Sequence, residues 1–388
     1  MKKSKVFFAS ARAKIWDVSY SLPFKLEELL LKIDLKKYIT HGDKVAVKMH
    51  FGGRGAFRTI RPVFVRKVVN SIKKTGGKPF VTDTTRIEAL QYLEVATENG
   101  YTQATCGAPV IIADGIFGRD AVPVKVEGAK YIKEIEVASS IYHAEAMVVL
   151  SHFKGHIGPG FGGAIKNIGM GGVSPKTREG KLNRGRLHSV DDKVPKWIKE
   201  KCSWCKQCED ICPVTAITII PKEIYEINDE LCWRCGRCAR ICKKGALDMP
   251  ITQERLCTHI VEASQAVLST FKPNKIIFVN FIMDVQPECD CMPVADTPVV
   301  NDQGIMISDD PVAIDKASLD MVNNAGPLPQ SSAEDLGIKS SGNVLGIINK
   351  RDTDVILNIA EEYKLGTKNY EIIEVKKKEG DVEKENWE

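Results

Sequence analysis

The chain has 388 residues, of which 43% are hydrophobic and 27% are charged, and its formal net charge is +5. A chain of this length suggests about two or three domains, and the composition is ordinary for a globular protein with a large core. The Lys and Arg residues are spread along the whole chain, and no stretch reaches the roughly 18 apolar residues that a membrane span needs. We therefore expect neither a nucleic-acid partner nor a membrane partner.

The first part of the chain alternates between strand-like and helix-like stretches. Apolar residues recur at helical spacing in 26–35, and a further helix is expected from Pro62, a good first-turn residue, to the glycines at 76 and 77. The other predicted elements are strands at 6–9, 44–49, 79–82, 110–112 and 146–150 and a helix at 86–99. This alternation predicts an α/β fold with a mostly parallel sheet flanked by helices.

Side chains suited to a binding site follow several of these strands. His50 and three glycines follow the strand at 44–49, and His152, Lys154, His156 and Lys166 lie in the glycine-rich stretch after 146–150. Ligands of parallel sheets bind outside the carboxyl ends of the strands, so these loops are expected to form one site. The candidate catalytic residues, which would bind and protonate an anionic substrate, are His50, His152, Lys154, His156 and Lys166.

The glycine-rich stretch at 155–172 has two interpretations. Its glycines and the amides at the start of a helix near Ala164 could hold a phosphate or another anion, with Lys166 supplying positive charge. The alternative is a flexible, turn-rich lid. The glycine spacing matches neither a Walker A motif nor a dinucleotide-binding motif.

Two cysteine motifs of the same spacing lie in the middle of the chain, at 202–212 and 232–242. A tight Cys-x2-Cys-x2-Cys loop can hold three corners of a [4Fe–4S] cluster, and in the bacterial pattern the fourth thiolate comes from the other motif. Two zinc sites are the alternative, but they would leave the third Cys of each triplet without a role. We predict one cluster on Cys202, Cys205, Cys208 and Cys242 and a second on Cys232, Cys235, Cys238 and Cys212.

The stretch at 195–250 resembles bacterial-type ferredoxins that carry two four-iron clusters. The second motif departs from that pattern, because Lys243 follows Cys242 where Pro is usual. Short strands are predicted after each motif, at 216–219 and 246–249, where they would pack over the clusters and exclude water.

The strand–helix alternation resumes after residue 250. A helix is predicted at 252–271, strands at 275–281 and 304–308, and a helix that Asp310 caps and Pro311 begins. The ferredoxin-like unit is therefore predicted to be inserted into one α/β domain. The predicted units are an α/β domain in two parts, 1–194 and 251–375, the insertion at 195–250 and a charged tail at 376–388.

A second thiol feature is Cys289-Asp290-Cys291, which follows the strand at 275–281. A Cys-x-Cys pair can ligate a metal or another cluster, or can exchange between thiol and disulfide. Two free cysteines in a loop are the alternative. Of the twelve cysteines in the chain, eight lie in the cluster motifs, so we expect a reducing cytoplasm rather than a disulfide framework.

Four segments carry a resemblance to the proteins known as domain of unknown function 362, in particular those with an inserted ferredoxin module. These segments are 47–52, 151–156, 162–169 and 309–315. The resemblance spans most of the chain and implies an iron–sulfur protein with this architecture. It implies no substrate.

The first functional hypothesis is an iron–sulfur oxidoreductase in which two [4Fe–4S] clusters pass electrons from a soluble donor, such as a ferredoxin, to the α/β domain. An anionic small molecule would be reduced there, with a further metal or anion site available at Cys289 and Cys291. The alternative is a non-enzymatic electron-transfer or iron–sulfur maturation partner. A redox-sensing binding module is a third option.

Overall fold

The computed structural model describes residues 3–85, 88–189, 193–212, 214–232, 234, 236–249, 251–292 and 294–375. Of the predicted features, the cluster ligand Cys235 and the charged tail at 376–388 lie outside these residues. In the part of the chain that is described, no helix has both the length and the apolar character needed to cross a membrane.

The described residues form one large sheet and four two-stranded sheets. The strands, in chain order, are β1 (Ser4–Ser10), β2 (Lys44–Lys48), β3 (Lys78–Asp83), β4 (Val110–Ile112), β5 (Ala121–Lys125), β6 (Glu134–Ala138), β7 (Ala146–His152), β8 (Lys154–His156), β9 (Gly160–Gly162), β10 (Lys196–Trp197), β11 (Ile217–Ile220), β12 (Ile224–Ile227), β13 (Leu247–Asp248), β14 (Ile276–Ile282), β15 (Gly304–Ser308) and β16 (Tyr370–Glu374).

The large sheet has eight strands in the order β16-β1-β15-β14-β7-β2-β3-β4. The five strands from β14 to β4 pair in parallel, and β1 pairs in parallel with β16. Among these eight described strands, only β15 runs against the others, between β1 and β14. The predicted mostly parallel α/β sheet is therefore confirmed, with one antiparallel strand that the sequence pattern did not reveal.

Thirteen α-helices are described. They are α1 (Leu22–Ile33), α2 (Pro62–Lys74), α3 (Ala89–Glu98), α4 (Gln103–Cys106), α5 (Ser139–Tyr142), α6 (Ala164–Gly171), α7 (Gln207–Asp210), α8 (Arg237–Ile241), α9 (Gln253–Ser269), α10 (Pro311–Asn324), α11 (Ser332–Asp335), α12 (Val344–Asn349) and α13 (Asp354–Glu362). Of these, α1, α2, α3, α6 and α10 make the main contacts with the strands of the large sheet. Short 3-10 helices are Val18–Tyr20, Leu35–Lys37, Arg184–His188 and Lys199–Lys201.

The helix ends follow local capping chemistry. Pro62 occupies the first turn of α2, where its missing N–H costs nothing. The hydroxyl of Thr252 accepts a hydrogen bond from the Arg255 amide at the start of α9. The Asp310 carboxylate accepts from the amides of Val312 and Ala313 at the start of α10. The predicted beginnings of these three helices are confirmed.

The sheet buries both of its faces, because side chains alternate along each strand. In β2, Val45 and Val47 pack against the side of α1 and α2, whereas Ala46 packs on the side of α6, α9 and α10. Every residue of β7 is buried. This two-sided burial explains why the central strands are continuous apolar runs in the sequence.

The cysteine segment forms small sheets of its own, in which β10 pairs with β13 and β11 with β12. The predicted strands after the two motifs correspond to β11 and β13. On either side of this segment, β7 and β14 are neighbours in the large sheet. That pairing agrees with an insertion into one α/β unit, although the domain boundaries themselves stay a prediction.

The described residues of the two cysteine motifs repeat the same features of backbone geometry. Left-handed residues let the chain turn so that successive amides face the same point. The amides of Ala216 and Ala246 each donate to the sulfur four residues earlier, Cys212 and Cys242, at 3.2 Å. Positive φ angles occur at matching places, at Trp204, Lys206 and Thr215 in the first motif and at Arg234, Gly236 and Gly245 in the second.

Asp114, just after β4, gives a prediction about pH. Burial raises the pKa of its carboxyl to about 6, against the opposing effects of hydrogen bonds from Thr85 and the charge of Arg184. The folded state therefore holds this proton more tightly than the unfolded chain does, and stability is lost as the pH rises from about 4 through 6, by ~3 kcal/mol in total. Asp114→Asn is expected to be more stable than the parent at pH 7 and nearly equal to it at pH 4.

Denaturation midpoints of both proteins at the two pH values measure this difference. All other carboxyl groups are common to the pair and cancel. A stability difference that does not change between pH 4 and pH 7 would show that folding does not raise the pKa of Asp114.

Candidate functional site

The carboxyl ends of β2, β3, β7 and β14 meet at one edge of the large sheet, as parallel pairing requires. A cleft with a cavity volume of about 160 Å³ opens there. All five predicted site residues line it, namely His50, His152, Lys154, His156 and Lys166. The cleft wall also includes Lys48, Asp83, Asn167, Arg184, Arg237, Asp290 and Cys291.

Positive charge dominates the cleft wall. Five Lys and Arg side chains line it against two carboxylates, Asp83 and Asp290. Such an excess, in a concave site with restricted solvent, attracts anions and repels cations. The charge of the cleft wall is compatible with an anionic ligand, which stays a prediction.

The first polar centre of the cleft is a buried ion pair between Lys48 and Asp83. The Lys48 Nζ lies 3.0 Å from Asp83 Oδ1 and donates to Asn167 Oδ1 at 2.6 Å. Tyr92 donates its hydroxyl to Asp83 Oδ2 at 2.6 Å, and His50 Nδ1 lies 3.0 Å from the same oxygen. The Lys48 side chain is only 1% exposed, so this centre is shielded from water.

Lys48 and Asp83 each shift the pKa of the other. Burial alone would raise the pKa of Asp83, but Lys48, His50 and Tyr92 hold it well below its usual range. Burial lowers the pKa of Lys48, and Asp83 opposes that effect. Because Asp83 is a carboxylate, His50 presents the N–H of Nδ1 to it, and Nε2 is the atom at which His50 gains or loses a proton.

The second centre is the buried carboxylate of Asp290. Lys154 Nζ lies 2.9 Å from Oδ2, His152 Nδ1 lies 2.8 Å from Oδ1, and Gln286 donates to Oδ1 at 2.7 Å. Burial alone would raise the pKa of Asp290, but His152 and Lys154 lower it well below its usual range. The same carboxylate raises the pKa of Lys154 against the effect of burial.

His152 is held on both sides of its ring. Nδ1 faces the Asp290 carboxylate, and Nε2 lies 2.9 Å from the Met283 carbonyl oxygen. Both partners are acceptors, and both are satisfied together only when each ring nitrogen carries a proton. This geometry favours a positioning role for His152, with Asp290 as its partner, over proton exchange with a ligand.

The thiol pair lies beside the second centre. The amide of Cys291 donates to Cys289 Sγ at 3.4 Å, and Lys166 Nζ donates to the same sulfur at 3.5 Å. The pKa of Cys289 lies well below its usual range. The Cys291 side chain lowers it most, Lys166 and His156 lower it further, and together they outweigh burial, which alone would raise it. Within the described residues, no third His, Cys, Asp or Glu joins this pair in an arrangement that could hold a metal ion.

The glycine-rich stretch is neither a lid nor an amide cradle for an anion. It is buried almost throughout, forming the β8–β9 hairpin and α6. The Asp315 carboxylate accepts from the amides of Ala164 at 2.7 Å and Ile165 at 3.0 Å, so the first turn of α6 already has its anion. Because those amides already donate to Asp315, an anion in the cleft would be held by side chains.

The cysteine segment contains a small cavity of its own. Cys212, Cys232 and Cys238 line a space of about 20 Å³ with apolar walls that include Ile217 and Ile227. Three of the four predicted ligands of the second cluster thus surround one cavity, and the fourth, Cys235, lies outside the described residues. Cys205, a predicted ligand of the first cluster, is exposed.

Arg237 connects the two cavities. It precedes Cys238 in α8, and it lines both the cysteine cavity and the cationic cleft. Arg184 and His188 also line the cleft. The predicted cluster module therefore borders the predicted substrate site directly.

Sequence reasoning missed several residues of the cleft. A lysine at the end of the apolar run 45–47 was a signal for Lys48, since a buried charge needs a partner. Asp290 sits between the two thiols that were noted, but it received no role. Arg184 and Arg237 come from outside the strand-end loops, and no local pattern pointed to them.

The family model described as Domain of unknown function (DUF362) matches residues 45–320. Among curated proteins, the chain is 34% identical over 64 residues to one subunit of the ion-translocating oxidoreductase complex of Methanosarcina acetivorans. It is 36% identical over 67 residues to an uncharacterized ferredoxin of Methanocaldococcus jannaschii. These stretches are 16% and 17% of this chain and cover 24% and 39% of the two relatives, well under half of either.

Two solved structures match at 11% sequence identity. A protein from Thermotoga maritima has a TM-score of 0.36, with 73% of this chain and 55% of that chain covered. The lactate racemase apoprotein from Thermoanaerobacterium thermosaccharolyticum has a TM-score of 0.37, with 96% of this chain and 83% of that chain covered.

Proposed function

The chain belongs to the family of the domain of unknown function (DUF362), and we propose that it is an iron–sulfur electron-transfer protein that reduces an anionic small molecule in its cationic cleft. The names of the two curated relatives, a ferredoxin and one component of an oxidoreductase complex, support the electron-transfer part of this proposal. Each relative is matched over less than half of its length, so the reaction and substrate rest on the residues of this chain.

The donor set of the cysteine segment fits two [4Fe–4S] clusters. The first would be held by Cys202, Cys205, Cys208 and Cys242, and the second by Cys232, Cys235, Cys238 and Cys212. Apolar side chains pack around the described cysteines, and backbone N–H groups donate to the sulfurs of Cys212 and Cys242, as cluster ligands usually require. Such clusters supply one electron at a time at low potential.

The observation that carries the proposal is the position of Arg237. One side chain lines both the cavity of Cys212, Cys232 and Cys238 and the cleft that contains the candidate substrate-binding residues. Electrons leaving the second cluster site would thus enter the cleft across a single residue. Cys205, a predicted ligand of the first cluster, is exposed, so a soluble donor such as a ferredoxin would dock on that surface.

Within the cleft, the side chains divide into binding and proton-handling groups. Lys154 and Lys166 supply positive charge for an anionic substrate, and His50 can exchange a proton at Nε2 while Asp83 and Tyr92 hold Nδ1. A reduction consumes protons as well as electrons, so both kinds of group are needed. No disulfide bond joins the described cysteines, which suits a reducing compartment such as the cytoplasm.

Anaerobic iron and sulfide quantification, with electron paramagnetic resonance of the reduced protein, tests the cluster assignment. About eight irons per chain and spin-coupled four-iron signals are expected. In Arg237→Gln the iron content should stay unchanged, while the potential of one cluster should fall because a nearby positive charge is lost. Arg54→Gln, at an exposed residue that lines neither cavity, is the matched control. Zinc without sulfide would contradict the whole proposal.

Exposed Cys205 also favours a second candidate function, a non-enzymatic electron carrier or iron–sulfur maturation partner. A carrier needs an accessible cluster and no proton-handling cleft. His50→Gln should then leave the rate of electron transfer to a protein acceptor unchanged. An enzyme with this variant should keep its clusters and lose turnover.

A further inference from the structure

Cys289 has an environment that a purely structural cysteine does not need. Its sulfur accepts hydrogen bonds from the Lys166 ammonium and the Cys291 amide, although the residue is only 4% exposed. The His156 and Cys291 side chains also donate to it, and with Lys166 they lower its pKa. Several donors converging on one buried sulfur stabilise the thiolate form.

The buried Cys257 shows the contrast within the same chain. Burial raises the pKa of its thiol to about 12. Cys106 is likewise buried, with a raised pKa. Burial therefore raises the pKa of a thiol in this protein, and at Cys289 the Cys291 side chain, followed by Lys166 and His156, outweighs that effect.

The two thiols of the pair differ in access. Cys291 lines the cleft and is partly exposed, whereas Cys289 lies behind it. The two cysteines are held close together, since the Cys291 amide donates to Cys289 Sγ at 3.4 Å. The pair thus places one thiol where a ligand can reach it and holds the other as a thiolate next to it.

We propose that Cys289 and Cys291 form a redox-active dithiol that exchanges with an anionic disulfide bound in the cleft. This inference rests on the proposed function, because the electrons that reduce the dithiol would come from the iron–sulfur clusters. A dithiol releases two electrons when it forms a disulfide, whereas iron–sulfur clusters transfer one electron at a time. The pair would therefore link one-electron transfer from the clusters to the two-electron reduction of a disulfide. The excess of Lys and Arg in the cleft selects a disulfide that carries carboxylate or phosphate groups.

The exchange balances as two thiol–disulfide steps. The Cys289 thiolate takes the proton of Cys291, and the Cys291 thiolate attacks one sulfur of the substrate, which releases the first substrate thiolate. The released thiolate then takes the proton from Cys289, whose thiolate attacks the mixed disulfide, so the second substrate thiolate leaves and the Cys289–Cys291 disulfide forms. Clusters held by the predicted cysteine ligands would supply two electrons, one at a time, and with one proton these would restore a thiolate at Cys289 and a thiol at Cys291.

Alkylation and peptide mass spectrometry test the pair in the intact, iron-loaded protein. After anaerobic treatment with glutathione disulfide, whose charge is negative, the Cys289–Cys291 peptide should lose two hydrogens and resist alkylation. Dithiothreitol should reverse this change. The peptides with Cys106 and Cys257 serve as internal controls and should be unchanged. Cystamine, a cationic disulfide, should react about ten-fold more slowly at the same concentration.

Single substitutions distinguish a relay from accidental oxidation. In Cys289→Ser, glutathione should remain trapped as a mixed disulfide on Cys291, because the resolving thiol is absent. Failure of the wild-type peptide to oxidise, or equal rates with cystamine, would overturn the proposal. Iron content reports separately on the proposed function. If dithiothreitol reduces the Cys289–Cys291 disulfide but dithionite-reduced clusters do not, the dithiol is supported and the clusters are rejected as its electron source.

Discussion

Lys48→Met is expected to lower the free energy of unfolding by about 3–5 kcal/mol, because it leaves the Asp83 carboxylate buried without its cation. The Lys48 ammonium lies 3.0 Å from Asp83 and also donates to Asn167 and to the Met49 carbonyl oxygen. The remaining partners of Asp83, His50 and Tyr92, cannot replace a full positive charge unless His50 is protonated. Chemical denaturation near pH 7 measures the loss.

Two further variants separate the buried charge from a general effect of losing lysine. Lys44→Met removes a lysine of the same strand that is 69% exposed and lies 3.8 Å from Glu145, and it should cost less than about 1 kcal/mol. Adding Asp83→Leu to Lys48→Met removes the uncompensated carboxylate and should recover part of the loss. Equal costs for Lys48→Met and Lys44→Met would mean that the Lys48–Asp83 pair is not stabilising.

Gly163→Ala is expected to cost about 3 kcal/mol, because the new methyl group would collide with Asp315. A Cβ built at Gly163 would lie 2.3 Å from Asp315 Oδ1. That carboxylate is buried and cannot retreat without giving up its hydrogen bonds to the Ala164 and Ile165 amides and to Asn280. The substitution should also lower ligand affinity, since α6 carries Lys166 into the cleft.

The neighbouring glycine provides a matched control. A Cβ at Gly162 would find its nearest atom, Lys154 Cε, at 3.6 Å, which is an ordinary contact. Gly162→Ala should therefore change the denaturation midpoint little. If both substitutions were equally tolerated, the cap on α6 would have to be more adaptable than its hydrogen bonds indicate.

Local chemistry explains why so much of the fold followed from the sequence. The continuous apolar run of β7, the Pro at the start of α2 and the Asp310 cap of α10 each act within a few residues. The direction of β15 does not, because it depends on pairing with β1 and β14 from distant parts of the chain. Strand order and direction are therefore the part of the architecture that needed the tertiary structure.

The residues of the cleft also divide into those that the local sequence predicts and those that only the tertiary structure reveals. His50 and His152 were predicted because they follow strands, and strand ends meet wherever a sheet is parallel. The partners that decide their chemistry come from elsewhere: Asp83 fixes the His50 ring and Asp290 fixes the His152 ring. The expected anion cradle at α6 was wrong for the same reason, since Asp315, about 150 positions away, takes its amides.

By itself, the sequence determined the element positions, the cysteine spacing and the candidate residues at the strand ends, because each depends on neighbours along the chain. Only the tertiary structure decided which charges are paired, which amides are occupied and where the cysteine module lies relative to the cleft. These depend on contacts between residues far apart in the chain, such as Lys166 with Cys289, and on Arg237 reaching both cavities. Packing makes such contacts, and no local pattern encodes them.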